Sequence, residues 1–210
     1  MATEETGRQP RRRGQRKDAA ANRARILETA AVTVKREGFR VPLTTIAQDT
    51  GVGIGTIYRH FPDREHLMIG LTERSFEIAL ANARNAAGNT GSARDAIGAF
   101  FELTIEDRDE FVMPLHGGPA VRSERIKKLR SEVWELIDHV LRRGADDGSI
   151  RSDITAADVI LFAAMLAQPL ANAADWDRVA RRQARVYLSG VGAVEADRLS
   201  GRTLVARRRR

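Results

Sequence analysis

The stretch GVGIGTIYRHF, Gly51 to Phe61, decides the fold. Glycines alternate with apolar residues through Ile54, which superficially suggests a strand, yet Ile57 and Phe61 lie four apart, a helical spacing. A short helix that opens inside glycines implies a backbone lying close to something large. A side chain on Gly53 or Gly55 would then intrude.

Upstream, apolar positions Ile26, Ala30 and Val34, joined by Leu27 and Ala31, define an amphipathic helix from Ala19 to Glu37, ended by Gly38. Val41-Pro42 restricts the connection to a second helix, Leu43 to Thr50, which stops at Gly51. The third helix, about Ile54 to His60, follows after a turn of about three residues. Downstream, Phe61-Pro62-Asp63 ends that helix and Asp63 caps a long fourth one reaching about Ala87. Further helices are expected over Ala93 to Glu106, about Ala120 to Arg143 with Gly144 closing it, Thr155 to Asn172, and Asp177 to Val194. With no strand pattern and no repeat, the chain reads as all-α.

Composition narrows the function. The 42% hydrophobic content supports a packed core, and the absence of cysteine excludes disulfides and thiolate metal sites. The most apolar run, Val159 to Leu170, is too short to cross a bilayer and contains Pro169, and no apolar signal core opens the chain, so a cytoplasmic protein without a membrane association is expected. The net charge of +7 is unevenly placed. Residues 1–25 carry eight Arg/Lys against three Asp/Glu, residues 198–210 carry six Arg and no acid, and the body between them is mildly acidic. Attraction for a polyanion is thereby localised at the ends. No phosphate-loop, metal-pair or convergent catalytic pattern is present, and His60, His66, His116 and His139 are scattered, so neither an enzyme nor a cofactor is expected.

Two short helices joined by a tight turn form a helix-turn-helix pattern over 42–61. Together with Leu43-Thr44-Thr45-Ile46-Ala47, Gly51-Val52, Gly55-Thr56-Ile57-Tyr58 and Phe61-Pro62-Asp63-Arg64-Glu65-His66-Leu67, it resembles the TetR family of transcriptional regulators. The resemblance is specific over roughly Ala19 to Ala79 and architectural beyond. It implies a DNA-binding domain over 19–79 and a helical effector-binding and dimerisation domain over 80–197, while the charge distribution marks a basic, disordered arm over 1–18 and a basic disordered tail over 198–210, which suit a polyanion or mere solubility. It further implies a homodimer whose third helices enter successive major grooves of a palindromic operator in double-stranded DNA, acting most simply as a ligand-responsive repressor.

By position in the motif, Thr44, Thr45, Gly53, Ile54, Gly55, Thr56, Tyr58, Arg59, His60 and Arg64 correspond to the family's DNA-facing residues. Thr56, Tyr58 and His60 suit phosphates, whereas Thr44, Ile54 and Arg59 suit base edges or thymine methyls. Residues 26–75 hold six basic and six acidic side chains, so the attraction must come largely from Arg11, Arg12, Arg13, Arg16 and Lys17, aided by Arg23 and Arg25. Pro42 stands where the family often has a capping threonine. Phe101, Phe111, Met113, Trp134, Phe162, Met165 and Gln168 lie on helices that in the family enclose an effector, and they suit a small hydrophobic molecule or an ordinary core. Two alternatives stay open: a DNA-binding regulator without an effector, and a non-specific basic architectural or membrane-surface binder.

Overall fold

Residues 10–112, 120–170 and 173–192 are described by a computed structural model, with the side chains of 10–17 excepted. Among the described residues there are eight α-helices, one short 3-10 turn and no strand, so the all-α expectation holds. The helices are α1 (Pro10–Glu37), α2 (Leu43–Thr50), α3 (Ile54–His60), α4 (Arg64–Ala87), α5 (Ala93–Glu106), α6 (Glu124–Asp146), α7 (Ala156–Leu166) and α8 (Trp176–Gly190). The chain divides into two compact units, Met1–Gly70 and Leu71–Arg210, the division falling inside α4.

The first unit is built on the apolar stripe of α1. Ile26, Ala30 and Ala31 are fully buried, and Ile46 of α2, Ile57 of α3, Phe61 and Leu67 of α4 close around this unit's core. Gly51 ends α2 in the left-handed region at φ 71°, where its amide reaches the carbonyls of Ala47 and Gln48. At Gly70 the reason for glycine is different: a Cβ there would lie 2.9 Å from Phe61 Cε1 and 3.1 Å from Leu27 Cδ2. The helix α1 differs from expectation by starting at Pro10, nine residues before Ala19. Pro10 suits the first helical position because its fixed φ is helical and it has no N–H to leave unpaired.

In the second unit α5 packs against α6, α7 and α8. Its start is closed by a reciprocal cap, Ser92 accepting from the Asp95 amide while the Asp95 carboxylate accepts from the Ser92 amide, and Thr155 with Asp158 does the same for α7. The buried set includes Ile97, Phe101 and Ile105 of α5, Val133, Ile137 and Val140 of α6, and Val159 and Ala163 of α7. Ala180 and Ala184 of α8 keep that helix close to α5.

Several helix ends depart from expectation, α6 starting at Glu124 rather than about Ala120 and α8 ending at Gly190 rather than Val194, and two have a visible cause. The helix α6 runs through Gly144 to Asp146, because Gly144 is a packing residue: a Cβ there would meet Ala93 Cβ at 2.8 Å and Ile150 Cβ at 2.9 Å. The helix α7 ends at Leu166 instead of reaching Asn172, since Pro169 offers no amide to continue the ladder and Gln168 already closes a tighter bond to the Met165 carbonyl.

Candidate nucleic-acid interface

The outward face of α3 is set by what α3 buries. Ile57 is wholly enclosed and Phe61 at the helix end is 1% exposed, which fixes the helix's rotation. That rotation leaves Gly53, Ile54, Gly55, Tyr58 and Arg59 on the surface, with Ile54 36% and Tyr58 51% exposed. A single exposed apolar side chain is ordinary, but here two stand one turn apart on a seven-residue helix. The glycines sharpen the point. A Cβ on Gly53 or Gly55 would meet no protein atom within 4 Å, and neither residue has a positive φ. Their small size therefore answers no demand of this chain's own packing.

Thr56, Arg59 and His60 share a groove of about 370 Å³ with Asp18, Ala19 and Asn22 of α1. Arg59 lies back along its own helix, Nε donating to the Gly55 carbonyl at 3.3 Å and Nη2 to Thr56 Oγ1 at 3.0 Å. Those bonds are exposed and exchangeable, so the guanidinium is held over the helix start without being buried. Asp18 and Asn22 escaped the sequence reading. Their i, i+4 spacing on α1 was visible, but only the folded arrangement brings them beside α3.

On α2, Thr44 is exposed and Thr45 half-buried. The acid of this helix is neutralised locally: Asp49 accepts from Thr33 Oγ1 at 2.7 Å and from Arg36 Nη2 at 2.8 Å, and these bonds, Thr33 first, hold its carboxyl below the usual range. At the head of α4, Asp63 accepts from the His66 amide at 2.9 Å and contacts the His66 ring at 2.8 Å, which likewise lowers the Asp63 pKa. That is the cap expected of Asp63.

Arg64 and Arg23 lie against the protein's own chain. Arg64 does not project outward: Nη1 donates to the Phe39 carbonyl at 2.6 Å, and Nη2 donates to the carbonyls of Arg40 at 3.3 Å and Val41 at 2.5 Å. Three of its five donors thus engage the chain between α1 and α2. The Arg23 guanidinium sits 5.2 Å from the centre of the Phe61 ring, where it packs rather than reaching outward. The side chains of Arg11, Arg12, Arg13, Arg16 and Lys17 lie outside the described residues, and the described backbone from Pro10 is helical. The basic tail at 198–210 also lies outside them.

The residues expected around an effector do not form one constellation. Phe101, Trp134 and Phe162 belong to the main core of the second unit, whereas Phe111 packs in a small separate cluster with Ala167. Met165 is 66% exposed and Gln168 is exposed in the turn after α7, so neither points inward. The cause is helical phase: Val159, Ala163 and Leu166 take the buried face of α7. Met113 and His116 lie outside the described residues. The structure adds Tyr187 of α8, stacked on Phe162 with ring centres 4.3 Å apart, while Phe101 meets both rings edge-on at 5.4 Å. The Tyr187 hydroxyl is buried without a hydrogen-bond partner, and burial pushes its pKa up to about 12.

Among the described residues no helix is long and apolar enough to cross a membrane. Residues 26–71 match the family of bacterial regulatory proteins of the tetR type, and residues 114–184 match the tetracyclin repressor-like C-terminal domain. An HTH-type transcriptional regulator of Staphylococcus aureus (strain USA300) is 38% identical over 68 residues, which cover 32% of this chain and 37% of that protein. The chain thus aligns with little more than a third of that relative's length. A TetR transcription regulatory protein from Mycobacterium vanbaalenii superposes with a TM-score of 0.61 at 26% identity, covering 85% of this chain and 99% of that one. PfmR from Thermus thermophilus gives a TM-score of 0.60 at 22% identity, over 78% of this chain and 97% of its own. AibR, solved in complex with isovaleryl coenzyme A and operator DNA, gives 0.64 at 14% identity, over 82% and 98%, a likeness of fold alone. The two matched domains, in the order and places where the two compact units stand, show that the chain belongs to the TetR family of bacterial regulatory proteins.

Proposed function

We propose that the protein is a sequence-specific DNA-binding transcriptional repressor that grips a palindromic operator as a homodimer. The observation that carries the DNA reading is the outward face of α3. Two glycines that the protein's own packing does not require flank Ile54, with Tyr58 and Arg59 beside them. A bare backbone can approach a duplex closely, Ile54 suits a thymine methyl, Arg59 suits a guanine edge, and Thr44, Thr45, Thr56, Tyr58 and His60 suit phosphates or bases. Arg11, Arg12, Arg13, Arg16 and Lys17, preceding this unit's core on α1, would supply the charge that its neutral body lacks.

Dimerisation draws support from the second unit. Its exposed large apolar side chains among the described residues are Met165, Leu170 and Val186, at 66%, 67% and 56% exposure, on α7, its exit and α8. A twofold partner laid on these helices would cover them. An effector reading draws on the Tyr187 hydroxyl, an unpaired polar group among aromatic rings, which is the sort of anchor a small hydrophobic ligand with one acceptor would use. AibR, of like fold, was solved with an acyl coenzyme A and operator DNA. A regulator without an effector is the second reading, favoured by the mutual packing of Phe101, Phe162 and Tyr187, which a ligand would have to part.

Selection from a random duplex pool at physiological salt tests the function. The expected outcome is an enriched inverted repeat with half-sites about one helical turn apart, bound by a protein of dimeric mass. Equal retention of enriched and scrambled duplexes would leave only the non-specific basic binder.

A further inference from the structure

We propose that Arg64 is a positioning residue that ties the head of α4 to the α1–α2 connection and thereby sets how α2 presents Thr44 and Thr45 to DNA. This inference rests on the DNA-binding reading above. Its observation is the convergence of three consecutive carbonyls, Phe39, Arg40 and Val41, on one half-buried guanidinium. Such convergence is a bend in the chain held from outside, since carbonyl dipoles pointing together repel unless a cation gathers them.

The connection has need of a holder. The helix α2 starts at Leu43 behind Pro42, which stands at the N-cap with φ −61° and ψ 145° and offers no side-chain bond to the first turn. A serine, threonine or aspartate there would fix the entry angle locally. In its absence, the direction in which α2 leaves the connection depends on what grips residues 39–41, and Arg64 does so from the first residue of α4. Only one residue, Pro42, separates the gripped carbonyl of Val41 from α2, and Thr44 and Thr45 are its second and third residues. A shift of the connection therefore carries both threonines with it.

Lysine cannot replace this device. An ammonium keeps the charge but has no planar fork to span three carbonyls. Arg64→Lys therefore separates positioning from a phosphate contact, because the charge seen by DNA is unchanged. The measurement uses the full chain and the duplex that the wild-type protein itself enriches from a random pool. Affinity is followed against salt for wild type, Arg64→Lys, Thr44→Ala/Thr45→Ala, and the combination, at a temperature where each is folded. The expected result is a loss of roughly tenfold for Arg64→Lys in the wild-type background, the scale of coupling between residues that share a partner. The loss should shrink below about twofold once both threonines are gone, and the slope of log affinity on log salt should stay unchanged. Exchange of the Thr45 and Ile46 amides, which bond the Pro42 carbonyl, should quicken in Arg64→Lys without DNA.

A purely structural arginine would lower the unfolding midpoint and leave the folded variant's affinity intact, and that result overturns the proposal. Equal losses in both threonine backgrounds overturn it too. Arg64→Gln, carried in parallel, keeps the comparison decisive should the lysine variant fail to fold. If the wild type enriches no sequence, the DNA reading falls and this role with it, while amide exchange still reports whether Arg64 grips the connection.

Discussion

Replacing Gly55 by alanine should move stability and DNA affinity in opposite directions. Gly55 is the second residue of α3, it is exposed, and a Cβ built on it meets nothing of the protein within 4 Å. Its backbone is helical, so alanine fits without strain. Alanine in a helix interior is favoured over glycine by about 0.8–1 kcal/mol, and near a helix start the gain should be nearer half of that. No clash offsets it, so Gly55→Ala should unfold at a higher denaturant midpoint with an unchanged m-value. If α3 lies against a duplex, the same methyl enters a closely packed interface. Overpacking of that kind costs about 1–3 kcal/mol, or about 5- to 150-fold in affinity. Chemical denaturation and titration of the enriched duplex, made on one preparation, read both signs. A variant that is stabilised and binds DNA as tightly as the wild type would refute the reasoning, since the glycine would then answer neither to the fold nor to a partner.

Gly144→Ala should behave in the contrary way, losing about 1–3 kcal/mol of stability in the same denaturation experiment, because its Cβ meets Ala93 and Ile150 atoms that cannot swing aside; a midpoint at or above wild type would contradict this. Tyr187 should ionise near pH 12 in the folded protein, which a phenolate absorbance titration of Tyr58→Phe isolates, Tyr58 and Tyr187 being the chain's two tyrosines. Burial raises its pKa, so its stabilising contribution is complete below the unfolded value of 10.0 and is lost as the pH rises through about 12; ionisation near 10 with the fold intact would remove the burial argument. Val186→Glu, placing a charge on an exposed apolar position of α8, should turn a dimeric mass into a monomeric one in sedimentation, and an unaltered dimer would place the seam elsewhere.

Helix class, order and several boundaries were legible in the sequence, because they depend on local terms. The helices α2, α3 and α5 stand where the 3.6 period and Gly51 put them, each signal acting within one or two turns. The set on α3 was named from its place in the motif, and the structure leaves Gly53, Ile54, Gly55, Tyr58 and Arg59 of it exposed because Ile57 and Phe61 are buried. What a glycine is for was not legible. Gly55 and Gly144 are the same residue in two helices, and only the tertiary structure shows empty space beside one and two side chains against the other. Long side chains were equally undetermined. Arg64 had the charge for phosphate, but three carbonyls from residues 23 to 25 positions away reach it first. Tyr187, Phe162 and Phe101 come from three helices, and no period along a single helix encodes their meeting. Local geometry is set by neighbours in the chain, and so the sequence alone determines it. Steric room, the partners of long polar side chains and ring contacts are set by residues distant in the chain, and only the packed fold decides them.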